Sequence, residues 1–446
     1  MTDKRKEEPP AGVPERAKQA GETRARWSWV EPSVWTDRML AALEKGVKGG
    51  RWFSLIDKVY RERNLRAAFM RVRKNRGSAG VDHQTIEMFA DRLERNLERL
   101  STALREGTYE PQEIRRVWIS KPGNRSEKRP LGIPTIRDRV AQTGLRHVLE
   151  PIFEVGFAEH SYGFRPGRGC KDALRRVDWL LKQGYNWVVD ADLKSYFDTI
   201  PHDRLLQRVE QKVSDGRVLD LISKYLTQGV METMKTWTPE RGTPQGAVIS
   251  PLLSNIYLDP LDHLMAGLGF EMVRYADDFV VLCRNESEAK DVLRVLQYWT
   301  EAEGLLLHPG KTHLVDASQP GGFDFLGYHF DRGYKWPRKK SLKKFKDTVR
   351  AKTRRNNGHS LEAIIDSLNL SLRGWFEYYK HSLWNTFPPL DGWIRMRLRS
   401  ILRRRLKRKG RGRGRDHQRW PNAFFAEHGL FSLVAAHREA CQSSRR

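Results

Sequence analysis

The chain has 446 residues, of which 81 are Lys or Arg and 55 are Asp or Glu, giving a formal net charge of +26. Hydrophobic residues make up 39% of the sequence, which is enough for sizeable cores and excludes a wholly disordered chain. The positive surplus favours a polyanionic partner, with nucleic acid as the first candidate, and the length predicts about three domains.

The N-terminal part is predicted to be helical after a charged leader. Residues 1–26 combine charged residues with Pro, Gly and Ala and contain no aromatic residue, which predicts disorder. From Trp52 onward, apolar residues recur at helical spacing as far as the turn signal at residues 75–80. A further helix is predicted from Thr85 to Leu104, closed by Gly107.

From about Val117 the sequence changes to short apolar runs broken by Gly and Pro, with helical patterns between them. This alternation predicts a mixed sheet covered by helices, and hence an α+β protein. The predicted strands are Val117–Ser120, Trp187–Leu193, Glu271–Tyr275, Asp278–Cys283 and Thr312–Val315. The predicted helices are Ala173–Lys182, Asp203–Lys212, Leu252–Leu268 and Ser287–Glu303.

After Pro337 the pattern is helical and strongly basic. Residues 338–446 hold 28 Lys or Arg against 8 Asp or Glu, a net charge of +20, whereas residues 1–337 have a net charge of only +6. Twelve of these basic residues lie between Arg395 and Arg415, including a Gly-Arg repeat that predicts flexibility. Because neutralising phosphates supplies affinity for nucleic acid, this quarter of the chain is predicted to hold it.

The cysteines and the apolar segments indicate the compartment. Cys170, Cys283 and Cys441 lie far apart and form no CxxC pair, so neither a disulfide framework nor a cysteine zinc site is predicted. No apolar stretch is long enough for a signal peptide or for a span of a bilayer. We therefore expect a cytoplasmic protein, associated with the nucleoid when it acts on DNA, without a membrane partner.

Three carboxylates are the candidate catalytic centre. The segment Tyr275–Asp278 lies between two apolar runs, as the turn of a β-hairpin does, and a third apolar run ends at Asp192. If that strand lies beside the hairpin, the carboxylates of Asp192, Asp277 and Asp278 converge and repel one another unless cations neutralise them. Oxygen ligands suit Mg²⁺, and two such ions support in-line nucleotidyl transfer.

Seven motif blocks in order make the sequence resemble the reverse transcriptase/maturase proteins that are encoded by bacterial group II introns. The resemblance extends from about Trp52 to the C-terminus, and Asp192 and Asp277 lie 85 positions apart. The blocks are Lys121-Pro122 through Arg129-Pro130-Leu131-Gly132-Ile133-Pro134, Ser161-Tyr162-Gly163-Phe164-Arg165-Pro166-Gly167-Arg168, Asp192 to Asp198, Gly242-Thr243-Pro244-Gln245-Gly246 through Asn255, Tyr275-Ala276-Asp277-Asp278, Pro309-Gly310-Lys311-Thr312, and Phe325-Leu326-Gly327-Tyr328.

This resemblance implies a right-hand polymerase fold, with fingers and palm over residues 117–335 and a helical thumb/maturase domain over residues 336–409. Residues 27–116 would be an N-terminal helical extension, in which residues 75–89 contact template RNA. Residues 1–26 would be the disordered leader. Residues 410–446 are predicted to be a basic linker and tail, with no endonuclease domain.

The resemblance also assigns catalytic roles. Lys311 is similar to the lysine that could protonate the leaving pyrophosphate. The implied ligands of two Mg²⁺ ions are Asp192, Asp277 and Asp278, with Asp190 and Asp198 as the nearest competing candidates.

Four further residues are implied to bind the incoming nucleotide: Lys121, Arg129, Phe197 and Gln245. Lys121 and Arg129 would grip the triphosphate, although Lys128 or Arg125 could substitute because the stretch between them is longer than usual. Phe197 would exclude a 2′-hydroxyl, and residues 325–328 would form the primer grip.

The implied partners are group II intron RNA, an RNA template with a DNA primer, target DNA and deoxynucleoside triphosphates. The predicted function is an RNA-directed DNA polymerase that also assists splicing of its intron as a maturase. A splicing factor with a vestigial polymerase site, or a reverse transcriptase co-opted for defence, are the alternatives. The implied RNA-binding residues are Arg395, Arg397, Arg399, Arg403, Arg404, Arg405, Lys407 and Arg408.

Overall fold

The structure is a computed structural model that describes residues 25–47, 49–121, 124–232, 235–410, 412 and 414–443, without the side chains of residues 121–127 and 443. All but the last two positions of the predicted disordered leader, residues 1–26, lie outside the described residues. Within the part described, no helix combines the length and the apolar character needed to cross a bilayer.

The segment before the first strand is helical, as predicted. The predicted helix from Thr85 to Leu104 is in fact two helices, because residues 91 and 92 form a turn between Ala90 and Leu93. The Thr85 hydroxyl accepts the Met88 N–H and so caps the first of them, while Gly107, at φ 78°, ends the second. The helices are α1 (Asp37–Lys45), α2 (Ile56–Tyr60), α3 (Glu62–Asn75), α4 (Ile86–Ala90) and α5 (Leu93–Glu106).

Strands and helices then alternate, and all the predicted strands and helices of this region are found. The elements are β1 (Ile114–Lys121), β2 (Asn124–Ile133), α6 (Ile136–Glu154), α7 (Cys170–Lys182), β3 (Trp187–Asp192), α8 (Tyr196–Thr199), α9 (His202–Glu210), α10 (Gly216–Leu226), β4 (Val230–Glu232), β5 (Lys235–Trp237), α11 (Ser250–Gly267), β6 (Glu271–Tyr275), β7 (Asp278–Cys283), α12 (Glu286–Ala302), β8 (His313–Asp316), β9 (Phe323–Phe325), β10 (Tyr328–Asp331) and β11 (Tyr334–Pro337).

Three sheets result. The first, in the order β2-β1-β4-β5, is mixed, because β1 and β4 run parallel. The second, in the order β6-β7-β3-β8, is antiparallel throughout and carries the candidate catalytic residues. The third is the small antiparallel sheet β11-β10-β9. The α+β fold class is therefore confirmed.

The sheet β6-β7-β3-β8 separates two cores. One core joins one face of the sheet to the N-terminal helices and to α6, which is buried along nearly its whole length. The other packs the opposite face against α7 and the sheet β11-β10-β9. Because Val188 and Val280 face one core while Val189 and Val281 face the other, β3 and β7 are apolar on both faces.

The C-terminal part is helical and has its own core. It contains α13 (Lys339–Lys352), α14 (Leu361–Tyr379), α15 (Phe387–Arg405), α16 (Arg415–Arg419), α17 (Asn422–Glu427) and α18 (Leu433–Ser443). Phe425 and Leu433 are completely buried against α14 and α15. The structure thus corrects the predicted division at residue 410: the described residues from 415 to 443 belong to the helical domain and are not a separate tail, because their apolar side chains complete its core.

Candidate active site

The register of two neighbouring strands brings the candidate carboxylates to one end of the antiparallel sheet. Asp192, the last residue of β3, lies directly opposite Asp278, the first residue of β7. Strands β6 and β7 form a two-residue hairpin in which Tyr275 pairs with Asp278, so Asp277 lies in the turn. Ala276, the other turn residue, has φ 60°. The three predicted carboxylates therefore come together as the sequence indicated.

The hairpin turn packs against the backbone of the motif block at residues 161–168. The Tyr162 N–H donates to the Arg274 carbonyl at 2.8 Å, which places residues 161–163 along the free edge of β6. A Cβ at Gly163 would lie 2.2 Å from the Ala276 nitrogen, so only glycine allows this approach. The turn that carries Asp277 is thus fixed by backbone contact.

Beneath the turn, Arg274 forms a fully buried ion pair. Its guanidinium donates to both carboxylate oxygens of Asp262, at 2.7 Å from Nε and 2.5 Å from Nη2. Further donations reach the Asn255 side chain at 3.0 Å, the Ser161 hydroxyl at 2.7 Å and the Ala276 carbonyl at 2.9 Å. Such a bidentate, fully hydrogen-bonded arrangement fixes geometry, and here it fixes the turn from below.

The pKa values of the acids are raised. Burial, with the neighbouring carboxylate of Asp277, raises the pKa of Asp278 to about 6, and burial with Asp192 raises that of Asp277. Burial, with the carboxylates of Asp278, Asp324 and Asp192, raises the pKa of Asp190 to about 7. The cluster thus holds negative charge that its surroundings do not fully compensate.

The donor set fits a hard divalent cation, since it consists of carboxylate oxygens whose mutual repulsion a cation would relieve. Among the residues that the structure describes, no three His, Cys, Asp or Glu side chains are close enough together to hold one ion as they stand. Part of the compensation comes from Lys311, whose ammonium forms an ion pair with the Asp192 carboxylate. The loop that carries Lys311 is held at the end of β3, because the His308 N–H donates to the Asp192 carbonyl at 2.7 Å.

Replacement of Asp190 by asparagine is expected to raise the free energy of unfolding in metal-free buffer at alkaline pH. The raised pKa means that the folded wild type holds a proton on Asp190 more tightly than the unfolded chain, so ionisation destabilises the fold increasingly between pH about 4 and about 7. The increase in the free energy of unfolding that Asp190→Asn gives should become smaller towards the acidic end of that window. Urea unfolding at alkaline pH and at pH about 5 measures this, with Asp291→Asn on the exposed face of α12 as the control; an equal gain at both pH values would contradict it.

Three of the predicted nucleotide-binding residues lie on two segments that pack together: Lys121 and Arg129 on the β1–β2 hairpin, and Gln245 on the loop before α11. Arg129 is exposed on β2, opposite Ile119 of β1, and the side chain of Lys121 lies outside the described residues. The loop of Gln245 packs directly on the same hairpin: the Gly132 N–H donates to the Gln245 carbonyl at 2.6 Å. Gly246, at φ 108°, lies against the Gly132 carbonyl, where a Cβ would be only 2.3 Å away.

Phe197 lies half-buried on α8, immediately after the β3 strand end. Its carbonyl accepts the Thr243 N–H at 2.6 Å, and its ring packs edge-on against buried Tyr196 at 5.4 Å. Its neighbour Asp198 accepts from the Gln245 amide at 3.3 Å, so Asp198 supports Gln245 and is not a fourth member of the carboxylate cluster. The structure therefore places Phe197 and Gln245 in the lining of one cleft.

The eight predicted RNA-binding residues differ in how available they are. Arg404, Lys407 and Arg408 are exposed, and their side chains form no hydrogen bond or ion pair with a described residue. Arg399 differs from the prediction: it is buried, and its guanidinium donates to the Trp420 carbonyl at 2.8 Å and to the Asn422 side chain at 2.9 Å. It therefore holds the C-terminal helices to α15.

The other four have partial internal partners. Arg403 pairs with Asp416 at 2.8 Å, Arg395 lies 4.0 Å from Asp391, and Arg397 donates to Thr353. Arg405 donates to the His359 carbonyl. Because only Arg403 and Arg395 of these four have a carboxylate partner among the described residues, the surface around α15 keeps a net positive charge.

Three supporting residues were missed by the sequence analysis. Arg274 could have been noticed as a charged residue inside an apolar strand. A buried guanidinium requires a partner, and here that partner is Asp262. Arg338, which directly follows the sheet β11-β10-β9, opposes the raised pKa of both Asp190 and Asp278 through its charge. Only the fold reveals Arg338, because nothing local in the sequence links it to the carboxylates.

Two known protein families match this chain and indicate its class. Residues 119–330 match the family described as reverse transcriptase (RNA-dependent DNA polymerase), and residues 342–420 match the group II intron, maturase-specific domain. The fold and the carboxylate site thus define a reverse transcriptase domain joined to a maturase domain, and this class implies dependence on divalent metal.

Three individual proteins that are similar to this chain support the same class. The group II intron-encoded protein LtrA of Lactococcus lactis subsp. cremoris is 37% identical over 46% of this chain and 34% of its own length. Protein YkfC of Escherichia coli is 32% identical over 58% of this chain and 77% of its own length. Nuclear intron maturase 2 of Arabidopsis thaliana is 27% identical over 47% of this chain and 34% of its own. The chain belongs to the group II intron-encoded reverse transcriptase/maturase family, although the match spans only about a third of LtrA.

Proposed function

We propose that this protein is an RNA-directed DNA polymerase that also binds group II intron RNA as a maturase and so assists intron splicing and mobility. The observation that carries the proposal is the register of β3 and β7, which sets Asp192 beside Asp278 with Asp277 in the adjoining turn. The maturase role is supported by the helical domain, whose exposed basic residues follow the polymerase region in the same chain.

For the polymerase, Asp192, Asp277 and Asp278 would hold two Mg²⁺ ions. When bound, such ions supply a lowered pKa for the primer 3′-hydroxyl and charge neutralisation for the leaving pyrophosphate. The chain's own residues bind and orient the substrates around this point. Lys311 holds its proton on Nζ beside Asp192, where it can be given to the leaving pyrophosphate.

The substrates would be deoxynucleoside triphosphates, an RNA template and a DNA primer, with target DNA supplying the primer in mobility. Arg129, exposed on β2, would grip the triphosphate with its planar guanidinium, and Lys121 is the second residue proposed for this role. Gln245 stands on the wall that the incoming nucleotide would contact, held there by Asp198.

Two assays test the proposal. Purified protein with Mg²⁺ should extend a DNA primer on an RNA template, and it should accelerate splicing of the group II intron transcript that flanks its coding sequence. Failure of primer extension alone would point to a splicing factor with a vestigial polymerase site. Failure of splicing alone would remove the maturase half and favour a reverse transcriptase used for another purpose.

Phe197→Ala is expected to relax the choice of sugar. Because the Phe197 ring would occupy the space next to the 2′ position, its removal should raise incorporation of ribonucleotides relative to deoxynucleotides by about ten- to a hundredfold, the size that one steric contact supplies. Single-nucleotide extension with matched deoxy- and ribonucleoside triphosphates gives the ratio of kcat/KM. Tyr298→Ala, an exposed aromatic on α12, is the control, and an unaltered ratio in Phe197→Ala would show that the ring only packs the core.

A further inference from the structure

A positively charged cavity lies in the helical domain, between the C-terminal end of α13 and the middle of α15. Its volume is about 270 Å³, and its lining includes Arg350, Thr353, Arg355, Trp393 and Arg397. A water molecule occupies about 30 Å³, so the cavity can hold a phosphate group together with part of a sugar.

Three guanidinium groups face this cavity with little negative charge to balance them. Arg350 pairs with Asp347 at 2.6 Å on the exposed side of α13. Among the residues that the structure describes, no carboxylate pairs with Arg355 or with Arg397. Burial, together with the charges of Arg350 and Arg355, lowers the pKa of Arg397. The arrangement is therefore one that an anion would stabilise.

Two of the three guanidinium groups, those of Arg350 and Arg397, are held in position by their neighbours. Arg397 donates to the Thr353 hydroxyl at 2.5 Å and to the Thr353 carbonyl at 2.9 Å, at the end of α13 where backbone carbonyls lack helical partners. The Trp393 ring lies 5.7 Å from the Arg350 guanidinium and 5.6 Å from that of Arg397, within cation–π range of both. Donors that are already fixed lose little freedom when they bind a ligand.

The cavity is far from the place where DNA synthesis would occur. Helix α13 begins at Lys339, directly after Arg338, whose charge acts on Asp190 and Asp278. The cavity lies at the opposite end of this 14-residue helix, about 20 Å away at 1.5 Å per residue. It also lies inside the segment that matches the maturase-specific domain, so its ligand is expected to be the RNA that this domain serves.

We propose that this cavity binds a backbone phosphate of the structured intron RNA, with Arg350, Arg355 and Arg397 as its donors. The inference rests on the proposed maturase function, and it names the place in the domain where RNA backbone is held. Arg350 and Arg355 add to the basic residues that the sequence indicated, since they are close to Arg397 only in the folded domain.

Arg355→Ala in the full chain is the decisive variant, because Arg355 is exposed and supports no described neighbour. Affinity for the flanking group II intron transcript should fall by about tenfold, and the dependence of log affinity on log salt should become shallower by about one. Arg355→Lys should recover the salt dependence, since it restores the charge. Arg438→Ala, an exposed arginine on α18, removes the same charge elsewhere and should change neither quantity.

The KM for an RNA–DNA primer–template duplex in the extension assay should stay at the wild-type value in Arg355→Ala. A rise in that KM equal to the loss of transcript affinity would assign the cavity to the copied duplex and overturn the proposal. Unaltered transcript affinity and salt dependence would overturn it as well, as would an equal loss in Arg438→Ala. If the wild type itself fails to bind the transcript, the maturase function falls, and the site falls with it.

Discussion

Asp277→Ala is expected to lower the rate of cDNA synthesis by at least about a hundredfold, the cost of losing even a supporting group of a metal ligand. Asp277 lies in the hairpin turn between two paired strands, and its pKa is raised by burial and by the nearby Asp192 carboxylate. Removing this carboxylate would remove one of the proposed ligands of the divalent metal while leaving both strands paired. Primer extension on an RNA template, with Mg²⁺ varied, measures the loss.

Affinity for RNA should be unchanged in the same variant, because the exposed basic residues lie in a different domain. Asp291→Ala on α12 is the matched control, since it removes an exposed carboxylate whose ion pair, within the described part of the chain, is with Arg294. Equal losses of cDNA synthesis and RNA binding in Asp277→Ala would mean that the carboxylate supports the fold, and the assignment of Asp277 to the catalytic centre would then fail.

Arg274→Ala is expected to lower the free energy of unfolding by about 3–5 kcal/mol, which is the cost of leaving one partner of a buried ion pair alone. Arg274 is completely buried, and its loss strands the Asp262 carboxylate and removes the donor to the Ala276 carbonyl. Denaturant unfolding measures the stability. Primer extension at a temperature where the variant stays folded should also show reduced kcat, because the turn that carries Asp277 loses its support.

A double variant separates the two effects of Arg274. Replacing both partners, as in Arg274→Met with Asp262→Leu, should recover part of the lost stability, because no unpaired charge remains in the core. It should not recover kcat, since the Ala276 carbonyl still lacks its donor. If the loss of stability in the double variant equals the sum of the losses in the two single variants, the unpaired charge is not what destabilises Arg274→Ala.

The sequence predicted the structure best where apolar runs end in carboxylates. Strands β3, β6 and β7 were predicted from apolar runs with carboxylates at their ends, and the structure pairs them as expected. Helix α6 was missed because it is buried on nearly all sides and contains Gly144 and Pro151, so it has no alternation of apolar and polar faces. Strand β2 was missed because residues 124–129 are mostly polar or charged.

At the site, the sequence indicated which residues would act but not what holds them. Gly163 stood in a motif block without a role, and the fold supplies one through its contact with Ala276. Arg399 was counted among RNA-binding residues because it lies in a basic run, yet it is buried with its donors satisfied. A run of arginines does not show which of them turns inward; tertiary packing decides that.

The inward position of Arg399 affects how the domain can be dissected. Arg399 bonds to Trp420 and Asn422, while the Asp391 carboxylate accepts from the Ser432 hydroxyl at 2.8 Å and the Leu433 N–H at 3.1 Å. A shortened protein that stops after residue 409 would lose these bonds and uncover the apolar surface that Phe425 and Leu433 cover. Exposed patches of this kind promote aggregation. Weak RNA binding by such a truncation would therefore report a damaged core, and single substitutions at exposed positions are the sound way to map the RNA contacts.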